Sequence, residues 1–346
     1  MDGSARPSTP CRPAGSTAGM TAAEIDPHQS MASMGIRHID HVLSTRVLRS
    51  AIFADLIRRA AAAAAGVRVT GSIRPDRTAD IHHYHRPNLE RRLLARSVAT
   101  VHHDPRDSDP WLGLGSFLPR YREAAVVHCL NSLQRDLLAE HGIRHTVVVP
   151  HGLDRALFPP PAAPRAPQAG RLRLGIVSRR YANGVKGEAR LEALLEHLDP
   201  GRVSFVLAGV GRWQEARLLR AHGFQAESFE RPPYRLLPEI YRRIDALLIL
   251  SLFEGGPASL PEALGSGLPV LCTRVGMAND MVTDQVNGLF LEGQAKSDGA
   301  RLMALLDDHG EGLARLMLGA FTRAAAVASW DEVFAEWRRF YVRLVG

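Results

Sequence analysis

The chain has 346 residues, 45% of them hydrophobic and 23% charged, with 43 Lys and Arg against 36 Asp and Glu for a net charge of +7. That length exceeds one ordinary core and predicts two domains, while the composition excludes a chain that is disordered throughout. With only 6% aromatic residues and no basic run interleaved with them, the positive charge does not make a nucleic-acid binder.

Residues 1–34 are rich in Ser, Pro, Ala and Thr and carry Asp2, Arg6 and Arg12 where a signal peptide needs an apolar core. They read as a disordered leader, with Met31 and Met34 as alternative starts and the cytoplasm as the expected compartment. No stretch approaches the roughly 18 apolar residues that a membrane span requires. Cys11, Cys129 and Cys272 lie far apart without metal-ligand spacing, and they predict free thiols in a reducing environment, two of them buried in apolar runs.

From Ile36 onward short apolar runs alternate with helical patterns. Strands are expected at His41–Ser44, Val67–Thr70, Ile81–Tyr84, Val98–Val101, Ala125–Cys129 and Thr146–Pro150, with helices at Ser50–Ala65, Asn88–Ser97 and Ser132–His141. The alternation implies a parallel sheet. Between Phe158 and Gly170 a Pro- and Ala-rich segment reads as a stiff linker. A second series follows, with strands Leu172–Ser178, Val203–Ala208 and Ala246–Leu250 and helices Gly187–Leu198, Trp213–His222 and Leu237–Ile244. The fold class is therefore α/β, with two Rossmann-like domains spanning residues 35–157 and 171–329. Residues 331–344 carry Val333, Trp337, Phe340 and Leu344 at helical spacing and form an amphipathic closing helix.

The chemistry-bearing residues cluster in the second series. In Phe253-Glu-Gly-Gly-Pro-Ala-Ser-Leu-Pro-Glu-Ala-Leu-Gly-Ser-Gly-Leu-Pro-Val270 an apolar strand runs into a glycine loop and a short helix, which places Glu254 at the carboxyl end of a strand and Glu262 within the helix. Ligands of doubly wound sheets bind at such ends. Arg180 and Lys186 follow the strand that opens the second series, where two cations near a helix N-terminus suit a diphosphate. Gly209 and Gly211 end the next strand, but Gln214 replaces the third glycine of the dinucleotide fingerprint, which argues against an NAD-dependent oxidoreductase.

These segments resemble the retaining glycosyltransferases of family four, which have the GT-B fold. The paired glutamates with their small-residue helix and Pro269-Val270, the pair Arg180 and Lys186, Val149-Pro-His-Gly-Leu-Asp154 and Asp284-Gln-Val-Asn-Gly-Leu-Phe290 carry the likeness, over roughly residues 95–344. The resemblance implies transfer of a sugar from a nucleoside-diphosphate donor to a glycan, lipid-linked or small-molecule hydroxyl, with retention. It implies that Glu254 contacts the donor sugar, that Glu262 binds the ribose hydroxyls, and that Gly255, Gly256, Ser259 and Leu260 line the donor alongside Gly209 and Gly211. Arg180 and Lys186 neutralise the diphosphate, so no metal or other cofactor is expected. His102, at the end of the strand before Asp104, is implied to orient the sugar, with His103 in reserve.

Other readings are weaker. Asp107-Ser-Asp109 matches the spacing of a metal-binding Asp-x-Asp but has no strand before it and reads as loop. His82, His83 and His85 invite a metal, yet alternation along a strand lets only His83 and His85 share an ion, and no third ligand is near in sequence. Arg91, Arg92 and Arg96 with Leu89, Leu93 and Leu94 suggest weak peripheral membrane contact by an amphipathic helix. The first half departs from the family: Ser44-Thr-Arg-Val-Leu-Arg49 lacks the usual glycine loop, and the half is short enough to lack strands. A catalytically inactive nucleotide-sugar- or partner-binding relative is the alternative these departures leave, against which the retention of Arg180, Lys186, Glu254 and Glu262 argues.

Overall fold

The computed structural model describes residues 30–45, 51–168 and 170–346. The first domain is built on β1 (His38–Val42), β2 (Arg68–Ser72), β3 (Ile81–Tyr84), β4 (Ser97–Val101), β5 (Val126–Cys129) and β6 (Thr146–Val148). All pair in parallel in the order β2-β1-β3-β4-β5-β6. Strands β1, β3 and β4 are buried along their whole length, because helices cover both faces of a parallel sheet. Those helices include α1 (Ala51–Ala63), α2 (Leu114–Glu123) and α3 (Ser132–Glu140).

The second domain repeats the plan with β7 (Leu172–Val177), α4 (Glu188–Leu195), β8 (Val203–Ala208), α5 (Trp213–Ala221), β9 (Gln225–Phe229), α6 (Leu237–Arg242) and β10 (Ala246–Ile249). It continues with α7 (Ser259–Gly265), β11 (Val270–Thr273), α8 (Ala278–Met281), β12 (Gly288–Leu291), α9 (Ala295–Ala304) and α10 (Glu311–Ala324). The sheet order is β12-β11-β10-β7-β8-β9, again wholly parallel, and it reverses direction between β10 and β7. Two such sheets are the GT-B arrangement expected from the sequence.

The last helix, α11 (Trp330–Arg343), begins at a capping box in which Ser329 and Glu332 satisfy each other's backbone N–H groups. Its apolar face, including Val333, Trp337 and Phe340, packs with Ile39, Ile81 and Val98 of the first sheet. The chain therefore returns to its first domain at α11.

Several expectations are corrected. The first domain is not short of strands, since its sheet has six, as many as the second. Strand β1 starts three residues before His41. The helix expected at Asn88–Ser97 is a single 3-10 turn, Pro87–Leu89, followed by bends. Glu90 is extended there, the Leu93 and Leu94 N–H groups donate to the Glu123 carboxylate and the Tyr84 hydroxyl, and Arg96 adopts a φ of 56°. Leu93 is buried in the core, so the amphipathic helix invoked for membrane contact does not form. Helix α2 escaped the reading because Gly113, Gly115 and Pro119 interrupt its pattern, although Phe117 and Tyr121, four apart, form its buried face. The segment after β1 that lacks glycine lies largely outside the described residues. Cys129 and Cys272 are buried free thiols, with burial pushing each up to about 12, and Cys11 lies outside the described residues. Among the described residues no helix is long and apolar enough to cross a membrane.

Candidate active site

Strands β7 and β10 are neighbours at the reversal point of the second sheet, and the loops leaving their carboxyl ends meet there. The Leu252 N–H donates to the Val185 carbonyl at 2.9 Å, joining the loops backbone to backbone. At Gly187, with φ of 83°, a Cβ would come within 2.1 Å of the Leu250 carbonyl oxygen, so only glycine permits the approach. This contact sets Lys186 against Glu254, and the two form an ion pair through Glu254 Oε1, which also accepts from Ser251 Oγ at 3.1 Å. Both side chains are mostly buried.

Arg180 also follows β7, but its Nε donates to Glu215 Oε1 at 2.7 Å. Glu215 is shared with Arg212, whose fully buried guanidinium also donates to the Ser178 carbonyl and hydroxyl at 2.8 Å. Burial lowers the affinity of Arg212 for its proton, against which Glu215 and Glu188 act. The loop Gly209–Gly211 lies on Ser178, and a Cβ at Gly209 would fall 2.2 Å from the Ser178 carbonyl oxygen. Glu230 accepts the N–H groups of Gly211 and, just beyond the loop, Trp213 at 2.8 and 2.9 Å, as an anion would.

Glu262 is buried in α7 beneath the Glu254 loop. Its carboxylate accepts from Tyr234 at 2.9 Å and from Tyr241 at 2.8 Å. Burial raises its carboxyl from 4.5 to about 7, while the two hydroxyl donors pull the other way. Ser259 is buried, and Leu260 belongs to the core with its N–H donating to the Pro257 carbonyl.

The first domain reaches this site through His102. Gly255 rests directly on it, since a Cβ there would lie 2.2 Å from the His102 carbonyl oxygen. Asn131, the cap of α3, uses its side-chain oxygen for the Gln134 N–H and donates Nδ2 to the Gly255 carbonyl at 2.7 Å. Gly256 faces Leu130, Met277 and His151, so it too stands at the junction. The Ser132 N–H donates to Asp280 at 2.7 Å, a second tie across the cleft. His102 is half-buried and its Nε2 hydrogen-bonds His85 Nδ1 at 2.8 Å. Burial, then His85 and Arg86, hold its pKa well below the ordinary histidine value, so it is neutral.

His103 points the other way, into the core, against Phe117 with ring centroids 4.0 Å apart and neither nitrogen hydrogen-bonded among the described residues. Asp107 and Asp109 each accept a backbone N–H two residues on and stabilise a loop. Asp284 accepts the Phe290 N–H, and Asn287 accepts that of Thr283, so this segment is a self-satisfied turn before β12. His83 and His85 gain a neighbour that local sequence did not offer, His41 of β1, brought alongside by parallel pairing.

The sequence reading overlooked Glu215, Arg212, Glu230, Tyr234 and Tyr241. An acid three positions after Arg212 in the first turn of α5 was the available signal for Glu215. The tyrosines had none, since Tyr234, in the 3-10 turn Tyr234–Leu236, and Tyr241, in α6, reach Glu262 from 28 and 21 positions away.

Comparison with known proteins bears on the family likeness and the fold. Residues 172–308 match the family model described as glycosyl transferases group 1. Among curated proteins, the D-inositol 3-phosphate glycosyltransferase of Xylanimonas cellulosilytica is 34% identical over 207 residues, covering 54% of this chain and 49% of that protein. That of Salinispora arenicola is 28% identical over 220 residues, covering 54% and 46%. The chain thus spans about half the length of the curated relatives it matches. Among solved structures, sucrose-phosphate synthase from Thermosynechococcus elongatus superposes with a TM-score of 0.71 at 16% identity, covering 89% of this chain and 99% of that one. HepE of Anabaena, solved with UDP and glucose, gives 0.65 at 14% identity, covering 88% and 98%. Residues 172–308 are thus similar to glycosyl transferases group 1, and the chain has the GT-B fold.

Proposed function

We propose that the protein is a glycosyltransferase that moves a sugar from a nucleoside-diphosphate donor to an acceptor hydroxyl with retention of configuration and without a metal ion. The observation that carries the reading is the junction at which the Lys186–Glu254 pair stands at the sheet reversal while Gly255 rests on His102 of the opposite domain.

In this reading the pair is a resting contact. When the diphosphate arrives, Lys186 turns to it and Arg180 joins from the same loop, so two cations face the group whose negative charge grows as it leaves. Glu254, freed of Lys186, accepts hydroxyls of the donor sugar. Glu262 accepts the ribose hydroxyls while Tyr234 and Tyr241 hold its plane. Neutral His102 contributes hydrogen bonding from the first domain without adding charge. The acceptor oxygen bonds to the anomeric carbon on the face from which the phosphate oxygen departs, and that oxygen takes the acceptor proton.

HepE was solved with UDP and UDP-glucose, and the curated relatives are named for D-inositol 3-phosphate, so UDP-sugars and an inositol phosphate head the panels to be tried. A thermal-shift screen of UDP-, GDP- and ADP-sugars identifies the donor, because a ligand that binds only the folded state raises the melting temperature. Transfer is then followed by NMR of the anomeric proton. An inverted product rejects retention, and transfer that persists in Glu254→Ala rejects the assignment of the site.

A further inference from the structure

We infer that His41, His83 and His85 bind one divalent transition-metal ion of the zinc type between the first sheet and the closing helix. His41 and His83 are register partners on adjacent parallel strands, so their side chains stand together on one face. His85 follows on β3, and the three rings stack with centroids 4.7 to 5.2 Å apart. One ring nitrogen from each lies within 4.8 Å of the other two. All three are buried.

Imidazole nitrogens sit about 2.0–2.1 Å from zinc, which puts them about 3.4 Å apart around a tetrahedral ion. His41 Nδ1 and His85 Nε2 are already 2.9 Å apart, and a ring nitrogen of His83 lies within 4.8 Å of the set. The hydrogen bonds that would orient the ligands are also present. His85 Nδ1 is tied to His102 at 2.8 Å, while His83 Nε2 meets the Thr100 hydroxyl, which in turn meets His128 Nδ1 at 3.0 Å. Such outer partners fix ring orientation and tautomer in histidine metal sites. Burial keeps the imidazoles neutral, the form that offers a lone pair.

A fourth ligand has two sources. The Tyr341 hydroxyl lies against His83 Nδ1. A cavity of about 300 Å³, bordered by His41, Tyr341, Trp337 and the alanines of α1, can hold a water. Three imidazoles with one open position make a recognised zinc geometry. The site uses first-domain residues and α11, and it is independent of the diphosphate-binding residues proposed above. Through the His85–His102 hydrogen bond an ion here would also fix the ring that faces the donor.

The test uses the full chain stripped with EDTA, dialysed, and titrated with ZnCl2 and separately with CoCl2. One equivalent of zinc should bind and raise the melting temperature, and Co2+ should give the intense visible absorption of a tetrahedral site. His41→Asn and His85→Asn should each weaken zinc binding at least tenfold, while His145→Asn, outside the cluster, should leave it unchanged. Absence of zinc binding, or binding undiminished in both cluster variants, overturns the inference. If those variants do not fold, the wild-type cobalt spectrum decides, since a weak octahedral spectrum or none rejects the site.

Discussion

Lys186 and Glu254 neutralise each other across the loops that follow β7 and β10, so each is the other's counter-charge until a substrate replaces it. Lys186→Met should therefore lower kcat/KM by about 10²–10³-fold, the usual loss when a group that stabilises a departing charge is removed. Glu254→Gln should fall by a similar factor. Thermal melts of the two single variants and the double variant should show less than additive destabilisation, because the second change removes a charge already left unpaired. A fall below tenfold in both single variants would count against the assignment.

Gly255→Ala should damage both stability and activity. Its Cβ meets the His102 carbonyl at 2.2 Å and the His103 nitrogen at 2.9 Å, and neither is the end of a flexible side chain. The expected cost is about 1–3 kcal/mol in urea unfolding, together with a lower kcat as the loop is pushed from His102. Gly115→Ala is the contrast. It lies within α2 with nothing within 4 Å of its Cβ, and alanine there should stabilise by about 0.5–1 kcal/mol.

Glu262 should give the fold a pH dependence of unusual sign. Its carboxyl is raised by burial from an ordinary 4.5 to about 7, so the folded protein holds a proton that the unfolded chain releases. That contribution is fully present below 4.5 and is lost as pH rises through about 7, a difference on the order of 3 kcal/mol. Glu262→Gln, an uncharged mimic of the protonated form, should flatten this slope and raise stability above pH 7. The same variant should bind donor about ten- to a hundredfold more weakly, because hydrogen bonds to a charged acceptor are lost. Chemical denaturation across pH, paired with donor titration, measures both.

His103 predicts the opposite slope. Burial lowers its pKa from 6.5 to about 4. The stability tied to its neutral form is complete above 6.5 and lost as pH falls toward 4. Since neither ring nitrogen has a hydrogen-bond partner among the described residues, His103→Leu should raise stability by about 1–3 kcal/mol at neutral pH, more at pH 5, and leave transfer intact. Melting curves at both pH values decide it.

What could be read from the sequence followed the range over which each constraint acts. Glu254, Glu262, Arg180 and Lys186 lie in single strand-loop-helix passages, where spacing along the chain fixes spacing in space. Strand β3 was read to the residue because four consecutive positions, Ile81–Tyr84, are flanked by polar turns. The residues that hold the site come from farther away. Glu215 reaches Arg180 only because β8 lies beside β7, and His41 joins His83 only because β3 pairs with β1 across an intervening helix and strand. At Asn88–Arg96 the local pattern was helical, but tertiary hydrogen bonds from Leu93 and Leu94 hold it in a course of bends.

The return of α11 to the first domain ties the two halves together twice. Two stretches of backbone cross between the domains, and at Leu153 they are laced together: its N–H donates to the Ala328 carbonyl at 3.0 Å and its carbonyl accepts from Trp330 at 3.1 Å. Gly152 is pressed so closely to Trp330 that a Cβ would lie 2.6 Å from its nitrogen. The two crossings are thereby bound side by side, and Asn131 and Ser132 add two further ties, to Gly255 and Asp280, so the faces of the cleft are held in register at the crossings and at the site alike.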